Sequence, residues 1–165
     1  MDEVKVVDEQ KRNEILNRHV ELDATQFIVI QLGDEQYGID IKYISNIIRM
    51  SKITRVPKVS DYIVGVINVR GVVIPTISLR LKMGLAEDQI TKKTRIIILT
   101  LEQHESIGVL VDEVKEVVTL DEEHVERMGY EKDERERFLS GVGKTEGRLI
   151  SLLDITSVLA DVMET

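Results

Sequence analysis

An all-β fold built from two small, similar barrels is what this sequence predicts, with a short helix at its C-terminal end. Three observations carry that prediction. Aliphatic, largely β-branched runs of strand length follow one another from residue 25 onward, separated by glycine-centred or charged turns. The order of these runs then repeats. A shift of 70 residues lays Phe27–Leu32 over Ile97–Glu102, Gly38 over Gly108, and Ile44, Ile47 and Ile48 over Val114, Val117 and Val118. A shift of 76 lays Gly65-Val66 over Gly141-Val142, Gly71 over Gly147 and Ile74 over Ile150. Each half reads hairpin, third strand, second hairpin. Five short strands suffice to curl a half into a closed sheet without free edges, and two units are too few for a solenoid, so two barrels sharing a core are expected. The third observation is DITSVLADVMET, which places Ile155, Val158, Leu159 and Val162 at helical spacing behind Asp154 as N-cap.

Residues 1–23 carry eleven charges and a weak apolar pattern (Ile15, Leu16, Val20), the composition of a flexible or partly helical leader over about 1–24. One domain follows over 25–157, its halves falling at about 25–90 and 93–157, and the helix spans 154–163. FIVIQLGDEQYGIDI is a hairpin about Gly33-Asp34-Glu35; Ile44, Ile47 and Ile48 mark a third strand, and Ile53 to Val56 a further extended stretch before Pro57. Ile63–Val69 and Val72–Ile77 fold about Arg70-Gly71. Asn, Asp or Gly is usual at such a tip, so Arg70 stands out, and Asn68 adds a second polar group beside it. Pro75 removes a backbone donor and predicts an edge strand or a bulge. Arg95–Leu101 and Ile107–Val111 form the next hairpin, around Glu102–Ser106. Residues 121–137 hold twelve charges in seventeen positions and read as a solvated excursion or an exposed short helix.

Composition excludes several functions. A net charge of −8 is wrong for neutralising phosphates, and the few aromatics (two Phe, four Tyr, no Trp) give no stacking platform for nucleic acid. Without cysteine there is no disulfide, thiolate nucleophile or Cys-bound metal. The charged start MDEVKVVDEQKR lacks an apolar signal core, and no run approaches the length of a membrane span, so a soluble, intracellular chain without membrane insertion is expected. His19, His104 and His124 are scattered, so no metal site is expected. GVGKT at Gly141–Thr145 imitates a phosphate loop, but Phe138 stands where the pattern needs its first glycine, and RLISLLDI after it reads as a strand. The acidic run at Asp121–Glu123 is solvated, so nothing there raises a carboxyl pKa for acid–base work. No catalytic constellation and no cofactor motif is present.

From about 25 to 160 the chain resembles the CheW family of chemotaxis coupling proteins. GVINVRGVVIPTISLR is close to the family's G-V-x-N-L-R-G-x-x-x-P-x-x-[DN]-L-R pattern. FIVIQLGDEQYGIDIKYISNII, ITRVP, IGVLVDEVKEVV and GVGKTEGRLISLLDI follow in the family's order. The resemblance implies two intertwined five-stranded SH3-like barrels and a non-enzymatic scaffold that couples chemoreceptors to the histidine kinase CheA. The partners implied are the cytoplasmic tip of methyl-accepting receptors and the kinase regulatory domain, in the cytoplasm at receptor arrays. It further implies receptor contacts at Asn68, Arg70 and Gly71 and along the groove between the barrels at Ile44, Asn46, Val114 and Val117. Kinase contacts are implied at barrel ends, with Ile48, Met50 and Ile53 on the first and Tyr130 on the second. Asn46 departs from the glutamate several members carry, and Ser78 stands where Asp or Asn is frequent, which bears on a helix cap. The alternatives are a coupling module for a chemosensory pathway that does not control motility, and a nucleotide binder using GVGKT.

Overall fold

The computed structural model describes residues 24–101, 105–129 and 136–163, which hold eleven strands, two α-helices and two single-turn 3-10 helices, Ile41–Tyr43 and Glu122–His124. The expected leader and Tyr130 lie outside the described residues. In chain order the elements are β1 (Thr25–Leu32), β2 (Glu35–Asp40), β3 (Ile44–Arg49), β4 (Ile63–Val69), β5 (Val72–Ser78), α1 (Leu79–Lys82) and β6 (Arg95–Thr100). They continue with β7 (Ser106–Val111), β8 (Glu113–Leu120), β9 (Val125–Arg127), β10 (Leu139–Thr145), β11 (Arg148–Leu153) and α2 (Ile155–Met163).

The two sheets do not follow the two halves of the sequence. The first has the order β3-β6-β7-β5-β4 and the second β8-β1-β2-β11-β10-β9. Each sheet therefore borrows a hairpin from the other half, β6–β7 in one case and β1–β2 in the other. The joints are the two parallel pairings in the molecule's ladder, Thr76 with Gly108 and Leu152 with Gly38, which the repeat makes equivalent. A chain so interlaced cannot separate one barrel without unpairing the other.

Closure uses the same device twice. In the first sheet Thr54 exchanges both backbone hydrogen bonds with Val66, at 2.9 and 2.8 Å. In the second, β9 pairs with β10 through Val125–Arg127. The crossing backbone leaves no room for a side chain. A Cβ on Gly65 would lie 2.2 Å from the Thr54 carbonyl oxygen, and one on Gly141 would lie 2.6 Å from that of Glu126. The repeated Gly-Val pair is thus the mark of barrel closure. It also corrects the reading of 121–137 as wholly an excursion, because Val125 packs into the second barrel.

Three apolar clusters result. Ile67, Ile74, Ile96, Ile98 and Leu110 fill the first barrel, and Phe27, Val29, Leu120, Ile150 and Leu152 the second. The third, shared between the sheets, includes Ile30, Ile39, Ile77, Ile97 and Leu99, capped by Ile155, Val158, Leu159 and Val162 of α2. Asp154 caps that helix as expected, accepting from Ser157 N at 3.3 Å. Ser78 does the same for α1, accepting from Leu81 N at 3.1 Å.

Two expectations need correction. The matching of Phe27 with Ile97 is one residue out. The shared cross-strand partners equate Val29 with Ile98, since Val29 faces Gly38 and Glu116 while Ile98 faces Gly108 and Asn46. A one-residue slip sends each side chain to the opposite face, so Phe27 lines a barrel whereas Ile97 lies in the shared core. Of the two readings offered for Pro75, the irregularity holds, since the β4–β5 register shifts between Ile63 and Gly65 beside Thr76, but β5 is not an edge strand. It lies between β4 and β7, but β7 pairs only with Thr76–Ser78, so Pro75 is never asked for an N–H on that side. Toward β4, Pro75 stands opposite Val66, whose own N–H and C=O are turned to Thr54.

Candidate functional site

The tip of the β4–β5 hairpin is built to display an arginine. Arg70 and Gly71 both have positive φ, +52° and +85°, the geometry of a two-residue turn that matches the twist of its strands. For arginine this left-handed backbone costs about 1 kcal/mol. Asn68 offsets part of the cost: its Oδ1 accepts from Gly71 N at 2.9 Å and locks the turn. Arg70 is exposed, and no ion pair to a described residue engages its guanidinium. Beside it Val72 and Val73 are 58% and 62% exposed, large values for β-branched strand residues.

The register sorts the sequence-predicted residues to two ends of the first sheet. β5 runs parallel to β7 with Thr76 opposite Gly108, so the tip lies at the end of the sheet where β6 finishes and β7 starts. Ile44 pairs with Leu99, near the same end. Arg49 pairs with Arg95 at the far end, and Met50 and Ile53 follow it there. Ile48, Met50 and Ile53 pack on the first barrel's interior cluster, while Ile44 and Val114 pack on the shared cluster. β3 and β8 each lie at one end of their sheet and carry the same bulge, after Ile44 in one and between Val114 and Glu116 in the other. Val117 is 51% exposed on β8. Asn46 is exposed and its Oδ1 accepts from Ile47 N at 2.9 Å. Asn68, Arg70 and Gly71 therefore form one feature, Ile44 and Val114 a second, and Ile48, Met50 and Ile53 a third.

Sequence reasoning missed what holds the first sheet against the second. Arg80 donates from Nε to Asp112 Oδ1 at 2.7 Å and from Nη2 to Oδ2 at 2.5 Å, and Asp112 Oδ2 also accepts from Gly33 N at 2.9 Å. The Arg80 hydrogen bonds hold the Asp112 carboxyl below the usual carboxylate range, against the opposing effect of burial. Nearby Asp88 behaves in the opposite sense: burial raises its pKa, although the Ser78 hydroxyl donates to it. Lys82 is buried 4.1 Å above the ring of Tyr62 and 3.1 Å from Asp161 of α2, with the Phe138 ring 5.6 Å away. Tyr62 and Phe138 match under the 76-residue shift, a pairing that would have flagged this junction.

Other chemistries find no footing among the described residues. GVGKT lies inside strand β10, where Gly143 packs on Leu120, and no phosphate loop forms. No cluster of His, Asp and Glu suited to a metal occurs among the described residues, and no helix there is long and apolar enough to cross a membrane.

Comparison with known proteins agrees with this architecture. The CheW-like domain model matches residues 26–163. The chain is similar to the chemotaxis protein CheW of Bacillus subtilis (strain 168), 39% identical over 136 residues that cover 81% of this chain and 86% of that one. With the chemotaxis protein CheW of Helicobacter pylori it shares 32% over 137 residues, covering 83% and 82%. The scaffolding protein TtCheW from Thermoanaerobacter tengcongensis superposes with a TM-score of 0.73 at 31% identity, covering 79% of this chain and 88% of that one. The chain belongs to the CheW-like domain family, and it is a scaffold of chemotaxis signalling and not an enzyme.

Proposed function

We propose that the chain couples chemoreceptors to a histidine kinase by holding the two at opposite ends of its first sheet. The receptor partner is the cytoplasmic tip of a methyl-accepting receptor, and the kinase partner is the regulatory domain of CheA. The protein works in the cytoplasm, recruited to receptor arrays at the inner face of the membrane. A helical receptor hairpin laid along β3 and β8 would bury Ile44, Val114 and Val117, with Arg70 reaching its carboxylates or carbonyls at the rim. Ile48, Met50 and Ile53 belong to the kinase contact, together with Tyr130, which lies outside the described residues.

The observation that carries this reading is the Arg70 tip. An arginine kept in an unfavourable backbone conformation, free of ion pairs with described residues and flanked by exposed valines, is arranged for a partner and not for the fold. Arg70→Ala is expected to weaken receptor co-sedimentation by about tenfold while kinase binding and thermal midpoint stay unchanged. Unchanged receptor co-sedimentation would remove Arg70 from the interface.

A further inference from the structure

Lys82 is the one charged residue that is buried among the described residues, its side chain 4% exposed. The fold does not call for a cation there. Ser78 and Asp154 cap equivalent helices under the 76-residue shift, so the counterpart of Lys82 is Val158, an aliphatic core residue. Burying an ion pair where an aliphatic side chain fits gains little stability, which leaves the charge to be explained by something it meets.

What it meets is a hollow of about 500 Å³, of the size that small-molecule sites have. Tyr62 and Lys82 reach it from the first half of the chain, and Arg137, Phe138 and Asp161 from the second. Lys82 Nζ lies 3.1 Å from Asp161 Oδ2 and 4.1 Å from the centre of the Tyr62 ring. The Arg137 guanidinium stands 5.3 Å over the Phe138 ring, and its Nη2 lies 4.0 Å from the same Asp161 oxygen, too far for a hydrogen bond. Arg137 makes no hydrogen bond to a described residue, so its donors remain for a ligand. Two cations thus share one carboxylate, itself 51% exposed. The described lining holds two positive charges against one negative, in a chain whose net charge is −8.

We propose that this hollow binds a small phosphorylated molecule, whose phosphate is held between Lys82 and Arg137. A guanidinium fork takes two oxygens of a tetrahedral dianion, and the ammonium supplies a point charge to a third. Burial of the lysine strengthens that contact, because little water competes for it. Met83, Tyr62 and Phe138 offer apolar surface to the rest of the molecule. Asp161 is the counter-ion that the phosphate displaces. Because the lining comes from both halves of the chain, the bound phosphate ties α2 to α1. The inference is independent of the receptor and kinase contacts.

The test titrates the full chain with inorganic phosphate, then with glycerol phosphate, against sodium chloride of equal ionic strength. The Met83 methyl shift and the thermal midpoint are followed together. Saturable binding at about millimolar affinity is expected for phosphate and tighter binding for the ester, with a rise in midpoint that chloride does not give. Arg137→Gln, at an exposed position, and Lys82→Met, which restores the aliphatic character of Val158, should each weaken binding by about tenfold. Asp161→Asn should tighten it several-fold by removing the counter-ion, whereas a purely structural ion pair would give no gain. The absence of a saturable shift beyond that of chloride would overturn the inference. So would weaker binding in Asp161→Asn, or affinity within twofold of the unmodified chain in Arg137→Gln. Binding confined to vesicles of phosphatidic acid would overturn the soluble ligand in the same way.

Discussion

The two hairpin tips, β4–β5 and β10–β11, have the same turn and opposite surroundings. Arg70 and Gly71 sit at φ of +52° and +85°, and Glu146 and Gly147 at +48° and +76°. In both, a charged residue occupies a left-handed position that suits glycine or asparagine. The second tip is tied back to its own barrel. Arg148 pairs with Glu116 and donates to Gln36 at 3.1 Å, and Lys144 approaches Glu126 at 3.9 Å. At the first tip the counterparts of Arg148 and Glu116 are Val72 and Asn46, which cannot form that pair. Among the described residues its side-chain lock is the hydrogen bond that Gly71 N donates to Asn68 Oδ1. The repeat thus supplies one device twice; one copy braces a barrel, and the other makes no such ion pair with a described residue.

The largest effect expected from breaking the asymmetry between the halves is on stability. Arg80 holds Asp112, which accepts from Gly33 at the β1–β2 turn of the second sheet, whereas their counterparts Thr156 and Lys42 are exposed and do not pair with each other. Arg80→Ala should cost about 2 kcal/mol in urea unfolding, from two charge-assisted hydrogen bonds, while Thr156→Ala stays near zero.

The tips themselves provide the sharper contrast. Arg70→Gly should stabilise the fold by about 1 kcal/mol by relieving the left-handed arginine, and still lose about tenfold in receptor affinity. Glu146→Gly should give the same gain of about 1 kcal/mol in thermal unfolding with receptor affinity untouched. Equal behaviour of the two variants in receptor binding would erase the distinction between the tips.

The smallest effect is on the pH profile of stability. Asp112 has a lowered pKa in the folded protein, so its contribution is complete above the ordinary carboxylate pKa of about 4 and fades as pH falls below that value. Asp88 has a raised pKa, so its contribution is present below about pH 4 and fades as pH rises through its folded value. Asp88→Asn should therefore remove the gain in stability that accompanies falling pH just above pH 4, and Asp112→Asn should make the loss of stability below pH 4 shallower, in urea midpoints taken along a pH series.

Much of the fold was legible because strand pairing is written in local terms: β-branched runs, turn glycines and the Asp154 cap each act within a few residues. What escaped was decided at a distance. The hairpin exchange depends on Gly38 meeting Leu152 and Gly108 meeting Thr76, partners that no local pattern names. The one-residue slip between β1 and β6 arises because the connection from β6 to β7 is longer, and spacing counted through the repeated glycines Gly38 and Gly108 conceals it. β9 was hidden because its charges face outward and only Val125 turns in. At the site, the Arg70 tip stood out by its composition, but the job of Asn68 in locking the turn needed the geometry. Arg80 lay within the motif that drew attention to this hairpin, and only its partner Asp112, far along the chain, explains it.

The most direct test of two partners held at opposite ends is methyl NMR of isoleucine, valine and methionine, titrated first with a receptor fragment and then with kinase. The receptor should move Ile44, Val72, Val73, Val114 and Val117 and leave Met50 and Ile53 in place. Added to the receptor-saturated protein, the kinase should move Met50 and Ile53 without restoring the first set. Shifts of one common set by both partners, or displacement of receptor by kinase, would contradict the account.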